Sequence, residues 1–501
     1  SADRSFIQGL RGKLRDWHGD TTRRRLPVNT QVPSLFDNDS RAAGNIPLPV
    51  KQHALKLVEA AFDAQLLLYF IHRPTFDSTF NLIYSLESSE YTWREKRFLP
   101  LLYAVFAYGG LFVTSKPHDA GYEEMISKAS QYYTKSRDLV DLANCTDLVS
   151  LQAVIFMNLF LLSTTRTTTC YTNLSASLSV AVRMGLHLSL GQDQDLISQE
   201  VGKRVFWTLR LLTNNASACI GLPKLLSDDD IDIQLPREIN DVYLQSGRIL
   251  RQPESEICYI AGANAYKRLH MILDKVVKVI YPHKGRMGSL NFPVKLETIR
   301  LIENDLQKWS RDIPGGFRLG DHTEEQGLQR AQYLLAITYA QIQLSLYRPL
   351  LHNFMETAEQ RDIGRNGVSS FAAACIQSIQ NIIDLCEDMF YHSLLNGVDW
   401  TITRMLISCI LTLLYVILMS QSTYEADMLF KSWATGWKLL NYIAKRSFHG
   451  RRCKTVLTVS IQERLLSLDT EVQEMVPNDM RPQRQIPKSD SYTTLLANRT
   501  F

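Results

Sequence analysis

The sequence has 501 residues, of which 45% are hydrophobic and 21% charged, and its formal net charge is +4. That length exceeds one ordinary core and implies fused units, while the composition excludes a disordered chain. A charge this close to neutral gives no argument for a nucleic-acid surface.

Ser1 to Leu10 is polar and lacks the apolar stretch of a secretory signal, and the cysteines, most of them among apolar neighbours, read as small buried hydrophobes in a reducing compartment. Residues 1–48 read as a polar, basic lead-in carrying Arg23, Arg24 and Arg25. A solvated arm is the simpler reading of that run, and a nuclear-import or DNA-phosphate segment the other. From Pro49 onward, apolar residues recur at helical spacing between short Pro, Gly, Asn and Asp breaks. Leu296, Ile299, Ile302, Leu306 and Trp309 predict a helix closed by Pro314. Tyr333, Ile337, Ala340, Leu344 and Tyr347 predict another that ends before Pro349, and Cys375, Ile379, Ile382 and Cys386 a third. Met405 to Met419 is almost wholly apolar, with Arg404 at its front edge. It is shorter than the roughly 20 residues of a membrane span, so it reads as a buried core helix and no membrane partner is expected.

The polar stretch Arg237 to Glu256 suggests a seam between an N-terminal lobe, 49–240, and a C-terminal lobe, 241–475, followed by an extended tail, 476–501, holding Pro477, Pro482 and Pro487. With no series of alternating strands, the expectation is an all-α fold, a large multi-helix bundle of two fused helical lobes.

Chemistry-bearing motifs are scarce. The eight cysteines include no Cys-x-x-Cys pair, and the eleven histidines, His270 and His283 among them, lack ligand spacing. No phosphate-cradling glycine loop, nucleophile elbow or His-Glu-x-x-His helix is found. Asp228 to Asp232 does match the Asp-Asp-x-x-Asp pattern with which helical prenyl-diphosphate enzymes hold magnesium. Pro223 and Pro236 bracket those acids, however, and Lys308 stands where a second metal motif needs a serine. The expected reading is a solvated acidic loop whose first acids cap a helix, with a magnesium-dependent enzyme as the alternative.

Ala181-Val-Arg-Met-Gly-Leu-His187 resembles the Ala-x-Arg-Met-Gly-Leu-His signature of the fungal-specific transcription factor domain, the regulatory region of fungal binuclear zinc-cluster transcription factors. Glu200-Val-Gly-Lys-Arg-Val-Phe-Trp207 is similar to the family's acidic-basic-basic-aromatic-Trp helix. Gly221-Leu-Pro223 and Asp228-x-Asp230-Ile-Asp232, ending in Leu235-Pro236, are similar to its acidic loop. Phe70-Ile-His-Arg-Pro-Thr-Phe76 resembles its early His-x-Pro-x-Phe element, and Leu346-Tyr-Arg-Pro-Leu350 its Leu-x-Arg-Pro close. The likeness covers about residues 49 to 390. It departs from the family at Thr213, Asn214 and Leu222, where Asp, Arg and Arg are usual.

The resemblance implies His72, Pro74, Phe76, Arg183, Gly185, His187, Glu200, Arg204, Phe206, Trp207, Gly221, Pro223, Asp228, Asp230, Asp232 and Pro236 as the structural and regulatory signature. Within it, Glu200 and Arg204 are spaced for an i,i+4 ion pair on a helix with its aromatics inward and charges outward. His72-Arg73-Pro74 reads as a helix stop docked on the core, with Arg73 available to an anion, and His187 as a helix end beside Gly185. The resemblance also implies a nuclear regulator of RNA polymerase II transcription with no catalytic, cofactor or metal site here. Zinc is expected in a separate N-terminal module that binds DNA, since no cysteine precedes Cys145. Transcription machinery, a second copy of the chain and a small-molecule effector are its expected partners. A scaffold or co-regulator of the same fold is the other non-enzymatic alternative.

Overall fold

A computed structural model describes residues 46–65, 67–113, 120–164, 166–189, 195–281, 296–357, 365–396, 398–419 and 423–465. The Arg23 to Arg25 run, His283 and the 476–501 tail lie outside the described residues. Among those described, the fold is all-α, as the apolar spacing predicts. The first seven helices are α1 Lys51–Ala64, α2 Arg73–Ile83, α3 Trp93–Gly110, α4 Ala120–Leu139, α5 Leu148–Ser163, α6 Thr167–Arg183 and α7 Leu196–Ile220. The next seven are α8 Tyr259–Ile280, α9 Leu296–Arg311, α10 Gln326–Thr357, α11 Arg365–Tyr391, α12 Trp400–Met419, α13 Thr423–Arg446 and α14 Phe448–Leu465. The stretch between α7 and α8 holds two short 3-10 turns, Asp228–Asp230 and Asp241–Tyr243, and a hairpin in which β1 Leu244–Gln245 pairs antiparallel with β2 Arg248–Ile249.

Local chemistry starts several helices. Thr92 and Glu95 form a reciprocal capping box on α3, Asp147 accepts from Ser150 N at 2.8 Å to begin α5, and Asp399 accepts from Thr401 N at 3.0 Å at the start of α12. Packing does the rest, through one contiguous apolar core from Ala54 to Leu457. α3 crosses α1 so closely that a Cβ on Gly109 would lie 2.0 Å from the Leu57 carbonyl oxygen. α5 is buried from Leu151 through Ser163 and sits at the centre of its neighbours.

Two helices run past their expected ends. Pro349 lies inside α10, which continues to Thr357 rather than stopping before the proline. α12 begins at Trp400, so Arg404 stands within the helix and not at its edge. Trp400 to Ile417 is long and apolar enough to cross a membrane by length and composition, yet 61% of that window is buried within the protein. It packs against α10, α11 and α13 as a core helix.

Candidate functional site

The signature residues meet where α7 faces the helix-free stretch 221–258. α7 is mostly buried, and Glu200, Arg204, Trp207, Arg210 and Asn214 follow one another at helical spacing along it. Each takes a partner across the seam. Glu200 accepts from the backbone N–H of Arg237 at 2.9 Å and pairs with Lys203 at 2.6 Å. Arg204 Nη1 reaches Asp241 Oδ1 at 2.5 Å. The Trp207 indole donates to the Gln234 carbonyl at 3.0 Å. Arg210 pairs with Asp228 and lies over the Trp207 ring at 5.1 Å. Asn214 donates to Asp274 of α8 at 2.6 Å, and Lys224 reaches the same carboxylate at 3.1 Å.

The expected Glu200–Arg204 pair therefore gives way to partners from the loop. The charges on this face are not solvated either: Glu200 is 3% and Arg204 1% exposed. A buried charge requires close, well-placed partners, and the loop supplies better geometry than a neighbouring turn.

The remaining signature positions secure the same stretch. Gly185 takes a left-handed φ of 73° after α6, and the His187 carbonyl then accepts the backbone N–H groups of Asp232 and Ile233 at 3.0 and 3.1 Å. Arg183 donates to the carbonyls of Ala143 and Cys145. Gly221 closes α7 with φ 75°, two residues before Pro223. The Pro236 carbonyl accepts Asn264 of α8 at 2.7 Å. Phe206 and Phe76 are core residues, Phe76 packing edge-on against Phe62.

His72-Arg73-Pro74 proves to be a helix start. His72 is the N-cap of α2 with Pro74 in the first turn, where the missing N–H removes no hydrogen bond. Arg73 is committed to Glu59 at 2.5 Å and Asp77 at 2.7 Å, so it offers no anion site. Its backbone N–H donates to Asp241 at 2.8 Å, and His72 Nε2 lies 3.2 Å from the Asp241 carbonyl. Asp241, unmarked in the sequence, thereby joins α2, α7 and the loop.

The acidic loop is not a metal cradle. Asp228 to Asp230 form a single 3-10 turn capped by Ser227, not by the acids themselves. Asp230 and Asp232 are exposed. Burial pushes the Asp228 carboxyl up, but Lys224 and Arg210 outweigh it and hold it below its ordinary value. Among the described residues no three His, Cys, Asp or Glu side chains converge as a metal site, so the residues present fit neither magnesium at the loop nor a zinc cluster.

Residues 63–311 match the fungal specific transcription factor domain. The chain carries a domain of that family. It is 29% identical to Activator of stress genes 1 of Saccharomyces cerevisiae over 71% of this chain and 37% of that protein. It is 28% identical to Activator of stress genes protein 1 of Candida albicans over 73% of this chain and 40% of that protein. With the Transcriptional activator protein acu-15 of Neurospora crassa it shares 25% identity over 83% of this chain and 43% of the relative. The chain thus spans less than half the length of these relatives.

Concave features among the described later helices include a groove and a deeper pocket. A groove of about 710 Å³ between α9, α10 and α11 is floored by Trp309, Leu335 and Tyr339 and rimmed by Arg311 and Arg318 opposite Asp384 and Asp388. It has the size of a ligand pocket, but its solvated charges of both signs select no occupant. A smaller pocket lies deeper, between α7, α8, α10 and α12.

Proposed function

We propose that this chain is the regulatory region of a fungal transcription regulator, acting in the nucleus on RNA polymerase II transcription and not as an enzyme. In this reading DNA is bound by a zinc-cluster module elsewhere in the protein, and the domain described here restrains or licenses activation through the transcription machinery, a second copy of the chain, or a small molecule. The observation that carries the reading is how the signature is used. Its polar side chains on α7 are spent on holding the 221–258 stretch against α7 and α8. Such a seam can exist in a held and a released form, which is what a regulatory domain requires. We place the boundary between an N-terminal and a C-terminal helical lobe in this stretch, at about residue 240.

The test is a reporter driven by a heterologous DNA reader with an activation segment, with and without this chain between them. The expected result is a change in output on inserting the chain, altered again by Asp241→Ala. Unchanged output in both comparisons would refute the regulatory reading. Magnesium-dependent turnover of a prenyl diphosphate, lost in Asp228→Ala, would replace it with the enzyme.

A further inference from the structure

The deeper pocket is basic. Asn215 of α7, Tyr281 after α8, Ser345 and Arg348 of α10, and Arg404 and Ser408 of α12 face a space of about 50 Å³, and no Asp or Glu lines it. Arg348, 5% exposed, donates from Nη1 to Ser408 Oγ at 2.8 Å, tying α10 to α12. Arg404 lies over the Trp400 ring at 5.8 Å, and its Nε is buried without a hydrogen-bond partner among the described residues. Asn215 is 7% exposed and lines the same space.

Arg404 is half-buried, its Nε is shut off from water without a partner among the described residues, and no acid lines the pocket to balance its charge. The Arg404 charge is felt by its neighbours: it adds to the burial that pushes His270 down to about 4. The Asn215 amide lines the same wall and can offer a neutral donor.

We propose that this pocket binds a small oxyanion, a carboxylate or phosphate group, between Arg348 and Arg404 with the Asn215 amide as a neutral donor. The two guanidinium forks suit the planar or tetrahedral oxygens of such a group. The volume, roughly two waters' worth, holds the charged group and not a whole cofactor. As an effector site this rests on the regulatory reading above, because the bound anion would draw α10 and α12 towards α7, the helix that holds the signature loop.

The experiment is calorimetric titration and thermal unfolding of the whole chain with inorganic phosphate and with acetate, at ionic strength matched by chloride. Saturable one-site binding with a rising Tm is expected for at least one of them. Phosphate alone responding assigns a phosphate group, acetate alone a carboxylate, and both the shared oxyanion chemistry. Arg404→Gln should weaken binding about tenfold or more while raising the anion-free Tm. Arg404→Lys keeps the charge but loses the fork, and should weaken binding without that rise in Tm. The proposal is overturned if neither anion gives a saturable response, if both variants bind as tightly as the parent, or if Arg404→Gln lowers the anion-free Tm. The titration involves no promoter, so its failure leaves the regulatory reading to the reporter assay.

Discussion

Arg204 and Asp241 stand 37 positions apart in the chain and meet at 2.5 Å, with Arg204 only 1% exposed. The pair closes the seam between α7 and the loop, and Asp241 also receives the first backbone N–H of α2. Removing one partner strands a charge in a dry site. Arg204→Ala and Asp241→Ala should each cost about 3–5 kcal/mol in urea unfolding, while an apolar double replacement recovers much of the loss. Single-variant losses below about 1 kcal/mol would show that the pair contributes little.

Lys267 carries a different prediction, in pH. It lies in α8 beside Arg204, and burial, reinforced by that charge, pushes its ammonium down to about 7 from an ordinary 10.5. The unfolded chain keeps the proton up to the ordinary value, so between these two points it binds more protons than the folded one. Stability should therefore rise with pH from about 7 to about 10.5, with the full penalty present below 7. Lys267→Met should abolish that rise and stabilise the protein by about 1–3 kcal/mol near pH 6. Denaturant midpoints across the range would show it, and parallel curves for parent and variant would refute the assignment.

The helices were legible because apolar periodicity is local. Leu296 to Trp309 follow helical spacing, and the structure buries Ile299, Ile302, Leu306 and Trp309 while leaving Leu296 exposed at the helix start. The seam was not legible in the same way. Glu200 and Arg204 have ideal i,i+4 spacing, yet each is claimed by a residue from 37 positions away. Nothing local marks Asp241 or Asp274 as partners, and proline misled twice: Pro74 opens a helix and Pro349 rides within one. Likewise Arg404 reads from sequence as the polar edge of an apolar run, and only the packing of α12 against α10 places it beside Arg348.

Gly109 tests the packing of the N-terminal helices. A methyl group there would meet the Leu57 backbone, which cannot swing aside as a side chain can. Gly109→Ala should force α1 and α3 apart at a cost of about 3 kcal/mol, whereas Gly247→Ala, with open space around it, should change stability by no more than about 0.5 kcal/mol. Comparing the two by thermal unfolding separates the steric effect from a general intolerance of glycine replacement.

The two aspartates beside Arg210 should behave in opposite proportion to their prominence in the sequence. Asp228 belongs to the conspicuous acidic run, but its side chain is 54% exposed. Water screens its pair with Arg210, so Asp228→Asn should cost only about 0.5–1 kcal/mol. Asp274 has no motif around it, yet its side chain is 14% exposed and receives Asn214 and Lys224, with Arg210 at 3.7 Å. Burial raises its pKa against the pull of Lys224 and Arg210, so the carboxylate is held by those cations and they in turn by it. Asp274→Ala would leave Asn214 without its acceptor and Arg210 and Lys224 with only the exposed Asp228 to balance them, and should cost about 3 kcal/mol. If urea unfolding ranks the two variants the other way, the acidic loop and not the α7–α8 contact anchors the seam.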